Sequence, residues 1–275
     1  SGDDEEEAVS PELMTEKYVR ALPGAVPSTL DLSLVCARHS LWGHRLWNAA
    51  IVLAEMIDSS EISVAGKKIL ELGAGAGLPG LICALNGAAK VVISDYATPT
   101  DQNLLVPIKM NIERLQPAFV PRDTLHGVGH VWGQSVEDLL APVSRHEHKH
   151  KRSAGEGDDP AHSYTAGETE GGGEVENGAN NGLCHVDENV VQSDESGFDV
   201  LVLADLLFNR SQHAQLLETC SRCLARSEMA EVWVSFSHHD PEKAALDMKF
   251  FELASLRGFV STHIKTVSLS PFYHE

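Results

Sequence analysis

Residues 67–80 read KKILELGAGAGLPG and combine a short strand, a glycine turn and the start of a helix. The apolar side chains of Ile69–Leu72 are typical of a buried strand, and Pro79 suits the first turn of a helix, where its missing N–H is no loss. Glycines at such a turn let the backbone approach a ligand closely because no Cβ stands in the way. The unpaired N–H groups of the new helix also face that position. The stretch therefore predicts strand 68–72, helix 79–87 and a nucleotide-like ligand beside the turn.

Strands and helices alternate along much of the remaining chain. Strands that are apolar through most of their length, and that alternate with helices, indicate a mostly parallel sheet covered on both faces. An amphipathic segment within 41–54 predicts one more helix, which is expected to cover the sheet edge or a ligand crevice. The further strands are predicted at 90–95, 126–132, 198–204, 231–237 and 259–269, and the further helices at 101–115, 211–225 and 241–257.

Ligand-type residues follow four of the predicted strands. The glycine turn follows the first strand, while Asp95, Trp132 and Asp205 end or follow three others. Ligands of such sheets bind beyond the carboxyl ends of the strands, so we expect these residues to line one crevice. His238 and His239 follow the next strand; a position near the substrate is one interpretation, and a polar entry to the following helix is the favoured one.

Charge and composition exclude several classes of partner. The net charge of −19 is concentrated in Asp3–Glu7, with five acids, and in 153–197, with eleven acids and no Lys or Arg, which leaves −3 elsewhere. A nearly neutral domain without a basic stripe is not expected to bind nucleic acid. A signal peptide is not evident, and no apolar run reaches the roughly 18 residues of a membrane span. The scattered cysteines are typical of reduced thiols in an intracellular, cytoplasmic protein.

Composition also predicts the domain boundaries. Residues 1–27 are expected to form an acidic, largely disordered arm, and 28–275 one α/β domain. That domain is interrupted at about 145–197 by a segment rich in glycine and acids, which cannot bury enough apolar surface to offset its ordering entropy. The histidines that alternate in 145–152 fit a solvated run, and the sequence predicts no metal site.

Two cofactors fit the glycine turn. Gly75–Gly80 matches the dinucleotide pattern G-x-G-x-x-G, whereas Glu71 followed by Gly73–Gly77 matches the E-x-G-x-G-x-G pattern of S-adenosylmethionine enzymes. Asp95 suits either cofactor because both carry a ribose diol that a carboxylate can bind. Glu71 favours the methyl donor, since an acid here would face the positive methionine end. A hydride-transfer enzyme should also have a second core for its substrate, and the sequence shows none.

Several segments together resemble the seven-β-strand methyltransferases of family 16. Within the family they are most similar to the fungal branch that methylates the N-terminus and a lysine of translation elongation factor 1-alpha. The resemblance covers about 40–135 and 198–272. Its most specific parts are the LWGH-x-LWNA and D-x-x-FN patterns. The segments that carry it are LWGHRLWNAAIVLAEMI at 41–57, ILELGAGAGLPGLICALNGAAKVVISDY at 69–96, VWG at 131–133 and VLADLLFNR at 202–210.

The resemblance implies a Rossmann-like class I fold and S-adenosyl-L-methionine as cofactor. It also implies that Asp205 attracts and orients the target amine beside Phe208 and Asn209. The ring of Phe208 would offer its face to the cation. The expected cofactor-binding residues, with Glu71 added from the glycine pattern, are Trp47, Glu71, Gly73, Ala74, Gly75, Asp95, Trp132 and Ala204.

By the same resemblance we expect a monomeric protein N-methyltransferase that modifies the N-terminal glycine, an adjacent lysine, or both, of elongation factor 1-alpha. A small-molecule N-methyltransferase of nicotinamide type and a non-catalytic cofactor-binding scaffold remain as alternatives, although the intact motifs argue against the scaffold. The family's sheet has seven strands, the last lying antiparallel between the fifth and sixth. Only Ser270–Glu275 follow the last predicted strand, so we expect that the final antiparallel strand is truncated or missing.

Overall fold

An antiparallel hairpin precedes the main sheet in the computed structural model, which describes residues 11–36, 45–144 and 197–269. Strand β1 (Leu13–Val19) pairs along its whole length with β2 (Thr29–Val35). The prediction of a disordered arm is therefore wrong for Leu13–Val19, because β2 supplies these residues with a partner strand and Tyr18 is buried against the core. Residues 1–10 of that arm lie outside the described ranges.

The main sheet has five parallel strands in the order β5-β4-β3-β6-β7. Each strand is short and consists mainly of apolar side chains, as a sheet covered on both faces requires. The predicted mixed α/β fold, with its parallel sheet, is confirmed. The strands are β3 (Lys68–Leu72), β4 (Lys90–Asp95), β5 (Leu125–Gly129), β6 (Val200–Ala204) and β7 (Glu231–Ser235).

Helices lie between the strands, as the alternating pattern predicts. The predicted helices at 211–225 and 241–257 each open with one 3₁₀ turn, at Arg210–Gln212 and Pro241–Lys243. The short helix α4 was not predicted. The helices are α1 (Asn48–Asp58), α2 (Leu78–Leu85), α3 (Leu105–Leu115), α4 (Glu137–Leu140), α5 (His213–Cys223) and α6 (Ala244–Ser255).

Successive strand residues supply two separate cores, one on each face of the sheet. Ile69 and Val91 face the hairpin and helices α1 to α3, whereas Leu70 and Val92 face helices α4 to α6. This division follows from the two-residue period of a strand, in which neighbouring side chains point to opposite faces. Among the described residues, no helix combines the length and apolar character needed to cross a membrane.

Both halves of the chain contribute to the same sheet. Strand β6, which follows the predicted insertion, pairs in parallel with β3, which precedes it. The insertion therefore interrupts one sheet. Residues 145–196 themselves lie outside the described ranges.

The strand predicted at 259–269 is not formed. These residues have no regular structure, and Val260 is 95% and Ile264 59% exposed. Polar residues such as His263 and Lys265 interrupt the apolar alternation, so no continuous face is available for burial. In the described part of the chain no strand follows α6, and Ser270–Glu275, on which the expected truncation depends, lie outside it.

Buried polar contacts hold the hairpin against the domain. Arg20 donates from Nε and Nη2 to Asp58 on α1, at 3.1 and 2.5 Å, and both side chains are nearly inaccessible. Asn111 on α3 accepts from the Ser33 N–H at 2.7 Å and donates at 3.0 Å to the carbonyls of Ser33 and Ala76. Since Ala76 belongs to the glycine turn, Asn111 ties that turn to the hairpin.

Candidate active site

A ligand crevice is expected at the carboxyl ends of β3 and β6, because the strand order reverses between them. Strands β4 and β5 extend the sheet on the side of β3, and β7 extends it on the side of β6. Open α/β sheets bind ligands at such a switch point, beyond the carboxyl ends of the strands. The glycine turn follows β3, and the loop that begins at Asp205 follows β6. The two loops touch, since a Cβ added at Gly73 would lie 2.6 Å from Cδ2 of Leu206.

The three turn glycines all have left-handed backbones, with φ of 62° at Gly73, 55° at Gly75 and 76° at Gly77. L-residues with side chains rarely adopt this conformation. A Cβ at Gly73 would also meet the Trp132 ring at 3.2 Å, and one at Gly77 would lie 2.9 Å from Ile93. At Gly75 no heavy atom of the described residues, apart from its own chain neighbours, lies within 4 Å of an added Cβ. The turn therefore presents its open side at Gly75.

Asp95, at the end of β4, is hydrogen-bonded directly to this turn. Its Oδ2 accepts from the Gly75 N–H at 2.6 Å, and its Oδ1 accepts from the Tyr96 N–H at 2.6 Å. The carboxylate is therefore held in one orientation beside the open side of the turn. The structure thus brings together Gly73, Ala74, Gly75 and Asp95, as the sequence predicts.

Glu71 lies beneath the turn and has no exposed surface. Its Oε2 accepts from the Gly80 N–H at 2.8 Å, and its Oε1 has no hydrogen-bond partner among the described residues. Burial raises the pKa of Glu71 to about 8; the Gly80 hydrogen bond opposes the rise, and the nearby Asp95 charge adds to it. The expectation that Glu71 faces the positive end of a ligand is not supported. A buried, largely neutral acid instead holds the start of α2 in place.

Glu71→Gln should abolish a pH dependence of folding stability. The folded pKa of about 8 exceeds the ordinary 4.5, so the folded state keeps a proton that the unfolded state loses between these values. The free energy of unfolding should then fall as pH rises from about 5 to 8, by up to about 1.4 kcal/mol per pH unit. Urea unfolding of the variant should lack this slope, while the exposed-site control Glu113→Gln should retain it. The prediction would be contradicted if the free energy of unfolding fell equally with pH in wild type and Glu71→Gln.

Asp205 follows β6 in an unusual backbone conformation, with φ of 58°. Left-handed backbone in a non-glycine residue is rare and occurs often at functional sites, although Asp tolerates it better than most residues. Its N–H donates to the Ser235 carbonyl at 2.7 Å, and its Oδ1 accepts from the N–H and Oγ of Ser237, each at 3.2 Å. Its Oδ2 lies 3.1 Å from Nε2 of His239. The carboxylate is thus 4% exposed and has partners at both oxygens.

His239 is the main residue that the sequence analysis missed. Its ring packs edge-to-face between Trp47 and Phe208, with centroid distances of 5.1 and 5.3 Å. The contact with Asp205 raises the pKa of His239 above its ordinary value, and burial opposes this rise. Trp47, which was predicted within a helix, instead adopts an extended N-cap conformation before α1.

A second acidic side chain stabilises the same loops from behind. Asp247 on α6 is fully buried, with Oδ2 2.8 Å from Nδ1 of His238 and Oδ1 2.7 Å from Nε of Arg210.

The helix-entry role expected of the histidines belongs to Asp240, which accepts from the Glu242 N–H at 3.2 Å. The Ser-His-His-Asp sequence directly after β7 is a signal for a functional site. It does not indicate which of the two histidines contacts Asp205.

The remaining predicted residues lie in the loop after β5, at the end of β6 and in the loop after β6. Trp132 borders the glycine turn, and the loop carrying it is fixed by a 2.9 Å hydrogen bond from the Gly133 N–H to Thr219. Ala204 is the half-buried last residue of β6. The Asn209 side chain accepts from Ser211 at 3.3 Å, and no described contact joins it to Asp205.

Comparison with known proteins gives this geometry its context. Residues 30–144 match the model of a family described as lysine methyltransferase. The chain is 30% identical over 258 residues to the protein N-terminal and lysine N-methyltransferase efm7 of Schizosaccharomyces pombe. The aligned region covers 94% of this chain and 80% of that protein. It is 31% identical over 260 residues to EFM7 of Candida albicans, with the same shares covered. The chain belongs to the family 16 lysine methyltransferases.

Membership in this family gives the crevice a chemical role. The protein is an S-adenosyl-L-methionine-dependent N-methyltransferase. The predicted resemblance is therefore confirmed, and the dinucleotide interpretation of Gly75–Gly80 is set aside. Gly80 instead lies in the first turn of α2, where a Cβ would stand 2.6 Å from the carboxyl of Glu71.

Proposed function

We propose that this methyltransferase modifies the N-terminal glycine, an adjacent lysine, or both, of translation elongation factor 1-alpha. The names of the relatives from S. pombe and C. albicans, protein N-terminal and lysine N-methyltransferases, support an amine acceptor on a protein. The choice of elongation factor 1-alpha rests on the resemblance to the fungal branch of the family. The proposed setting is the cytoplasm, with the enzyme acting as a monomer and without a nucleic-acid partner.

The proposed cofactor site lies beside the glycine turn and Asp95. The turn fits a ligand because Gly75 faces open space and hydrogen-bonds the carboxylate that would hold a ribose diol. Ala74 and Gly73 would complete the backbone wall, and Trp47, Trp132 and Ala204 would line its sides. When bound, S-adenosyl-L-methionine supplies an electrophilic methyl group on a sulfonium sulfur. The task of the chain is to align the acceptor with it and exclude water.

The acceptor class is argued from the pair formed by Asp205 and His239. Their 3.1 Å contact places an acid and a proton acceptor beside the aromatic rings of Trp47 and Phe208. A protonated amine needs both, because its charge must be attracted and its proton removed before its nitrogen can react. A pyridine such as nicotinamide has a free ring lone pair at neutral pH and needs neither. This pair is the observation that favours an aliphatic amine over the small-molecule alternative.

The proposed function is tested by offering three acceptors with labelled S-adenosylmethionine: an N-terminal peptide, intact elongation factor 1-alpha and nicotinamide. A peptide with the mature N-terminal sequence of elongation factor 1-alpha should gain methyl groups on its first residue, its lysine, or both, as located by mass spectrometry. Matched peptides should separate the two positions, one with an acetylated N-terminus and one with the lysine replaced by arginine. Nicotinamide is the third acceptor.

The outcomes distinguish the candidate functions. Label in nicotinamide alone would establish the small-molecule activity and reject the proposal. Cofactor binding without label in any acceptor or in intact elongation factor 1-alpha would favour the scaffold. Label in intact factor that disappears when its N-terminal segment is removed would support the proposal.

A further inference from the structure

We infer that His239 is the group that accepts the proton of the target ammonium, and that Asp205 orients its ring for this task. The inference rests on the proposed function, because it concerns the acceptor amine of the same site. It assigns distinct roles to two residues: His239 contacts the substrate, whereas Asp205 acts mainly through His239.

The first argument is that Asp205 is poorly placed to receive the proton itself. Its Oδ1 is occupied by two hydrogen bonds from Ser237, and its Oδ2 faces the imidazole of His239. Only 4% of the residue is exposed, whereas the side chain of His239 is 23% exposed. A substrate entering between Trp47 and Phe208 would meet the histidine before it met the carboxylate, since both rings contact His239.

The second argument concerns the tautomer of the imidazole. Asp205 Oδ2 lies 3.1 Å from Nε2, so the charge of the carboxylate favours the neutral tautomer that carries its hydrogen on Nε2, although the pair does not have hydrogen-bond geometry. The lone pair then resides on Nδ1, the ring nitrogen that takes no part in the contact with Asp205. An acid that fixes one ring nitrogen and leaves the other basic is the arrangement by which carboxylates orient catalytic histidines.

The third argument is the need for a base. A free α-amine has a pKa near 8 and a lysine near 10.4, so both are mainly protonated at neutral pH. In the proposed step, an N–H bond of the ammonium breaks and its electron pair stays on nitrogen. The proton joins Nδ1 of neutral His239, whose partly exposed ring then releases it to water. Charge and atoms balance without any further reactant.

The charges around His239 determine the pH at which this step works. Asp205 at the end of β6 and Asp247 on α6 both raise the pKa of His239, whereas burial and Arg210 before α5 lower it, and the Asp205 contact has the largest effect. Trp47 and Phe208 contribute uncharged rings. Because only the neutral ring accepts a proton, activity should rise with pH until His239 is deprotonated, at a pH above its ordinary 6.5.

The test compares His239→Ala with wild type on the peptide acceptor, from pH 6 to 10. General base catalysis contributes about 100- to 10,000-fold, so kcat at pH 7 should fall by roughly 100-fold. The remaining activity should follow the pKa of the amine itself, and added imidazole should restore part of the rate. His126→Asn, at the amino end of β5, provides a histidine control that keeps the wild-type profile.

A second readout does not depend on catalysis. The His239 resonance of the free protein is assigned by its loss in His239→Ala. An NMR titration should give His239 a pKa above its ordinary 6.5, and Asp205→Asn should lower that pKa. Wild-type rates and an unchanged profile in His239→Ala would overturn the inference while leaving the proposed function standing. Lost activity without imidazole rescue, with an unshifted profile in the residual rate, would also overturn it. A wild-type enzyme inactive on every protein amine would instead reject the proposed function.

Discussion

Asp205→Asn is expected to reduce kcat about 100-fold, at the lower end of the range of roughly 100 to 10,000 for lost acid–base machinery. The change removes the negative charge that attracts the ammonium and the acceptor that orients His239 through Nε2. An amide at this position can also point its NH₂ group at the ring and favour the wrong tautomer. Asparagine tolerates the left-handed backbone found here, so the fold should be retained.

Three measurements identify the cause of this loss. The affinity for S-adenosylmethionine and the thermal midpoint should stay close to wild type, while kcat on the peptide acceptor falls. Asp31→Asn, on the exposed surface of the hairpin, is the matched control and should change none of them. Full methyl transfer by Asp205→Asn with normal cofactor binding would show that this carboxylate has no part in the reaction.

Gly75→Ala is expected to weaken cofactor binding in addition to destabilising the fold. The added methyl group would project into the space that the turn leaves open, where we propose that the cofactor lies. Inserting a methyl group into a well-packed contact typically costs 1–3 kcal/mol, which is about 5- to 150-fold in affinity. Isothermal titration with S-adenosylmethionine measures this loss directly.

Gly66→Ala separates backbone strain from obstruction of the cofactor. Gly66 has φ of 73° and likewise no heavy atom of the described residues within 4 Å of an added Cβ, but it precedes β3, at the opposite end of the sheet. Both variants should lose about 1–2 kcal/mol of folding stability from the left-handed backbone. Only Gly75→Ala should lose affinity. Equal cofactor affinities for the two variants would place the cofactor elsewhere.

Short-range patterns were sufficient to predict the elements that build the sheet. Strand 68–72 and strand 90–95 coincide with β3 and β4, because a run of apolar side chains ending at a glycine or an acid defines both strand and boundary locally. Two segments were predicted wrongly. Leu13–Val19 forms a strand because β2 lies beside it. Residues 259–269 form none, because polar residues such as His263 interrupt the apolar alternation.

The candidate site likewise contains residues whose place the sequence predicts and one whose place it does not. The glycine turn, Asp95 and Asp205 follow from the chain alone, since residues at the carboxyl ends of parallel strands must converge at one edge. The position of Glu71 does not follow from it: the motif shows an acid before the glycines, but only packing against α2 buries its carboxyl and raises its pKa to about 8.

His239 shows most clearly what the tertiary structure adds. Its sequence neighbours suggest only the entry to a helix, whereas its ring contacts Trp47, Asp205 and Phe208, which come from other elements of the fold. Sequence determines the α/β fold and the family because these depend on local periodicity and contiguous motifs. Which histidine meets the carboxylate depends on how the loops after β6 and β7 pack together, and that is decided only when the strands lie side by side.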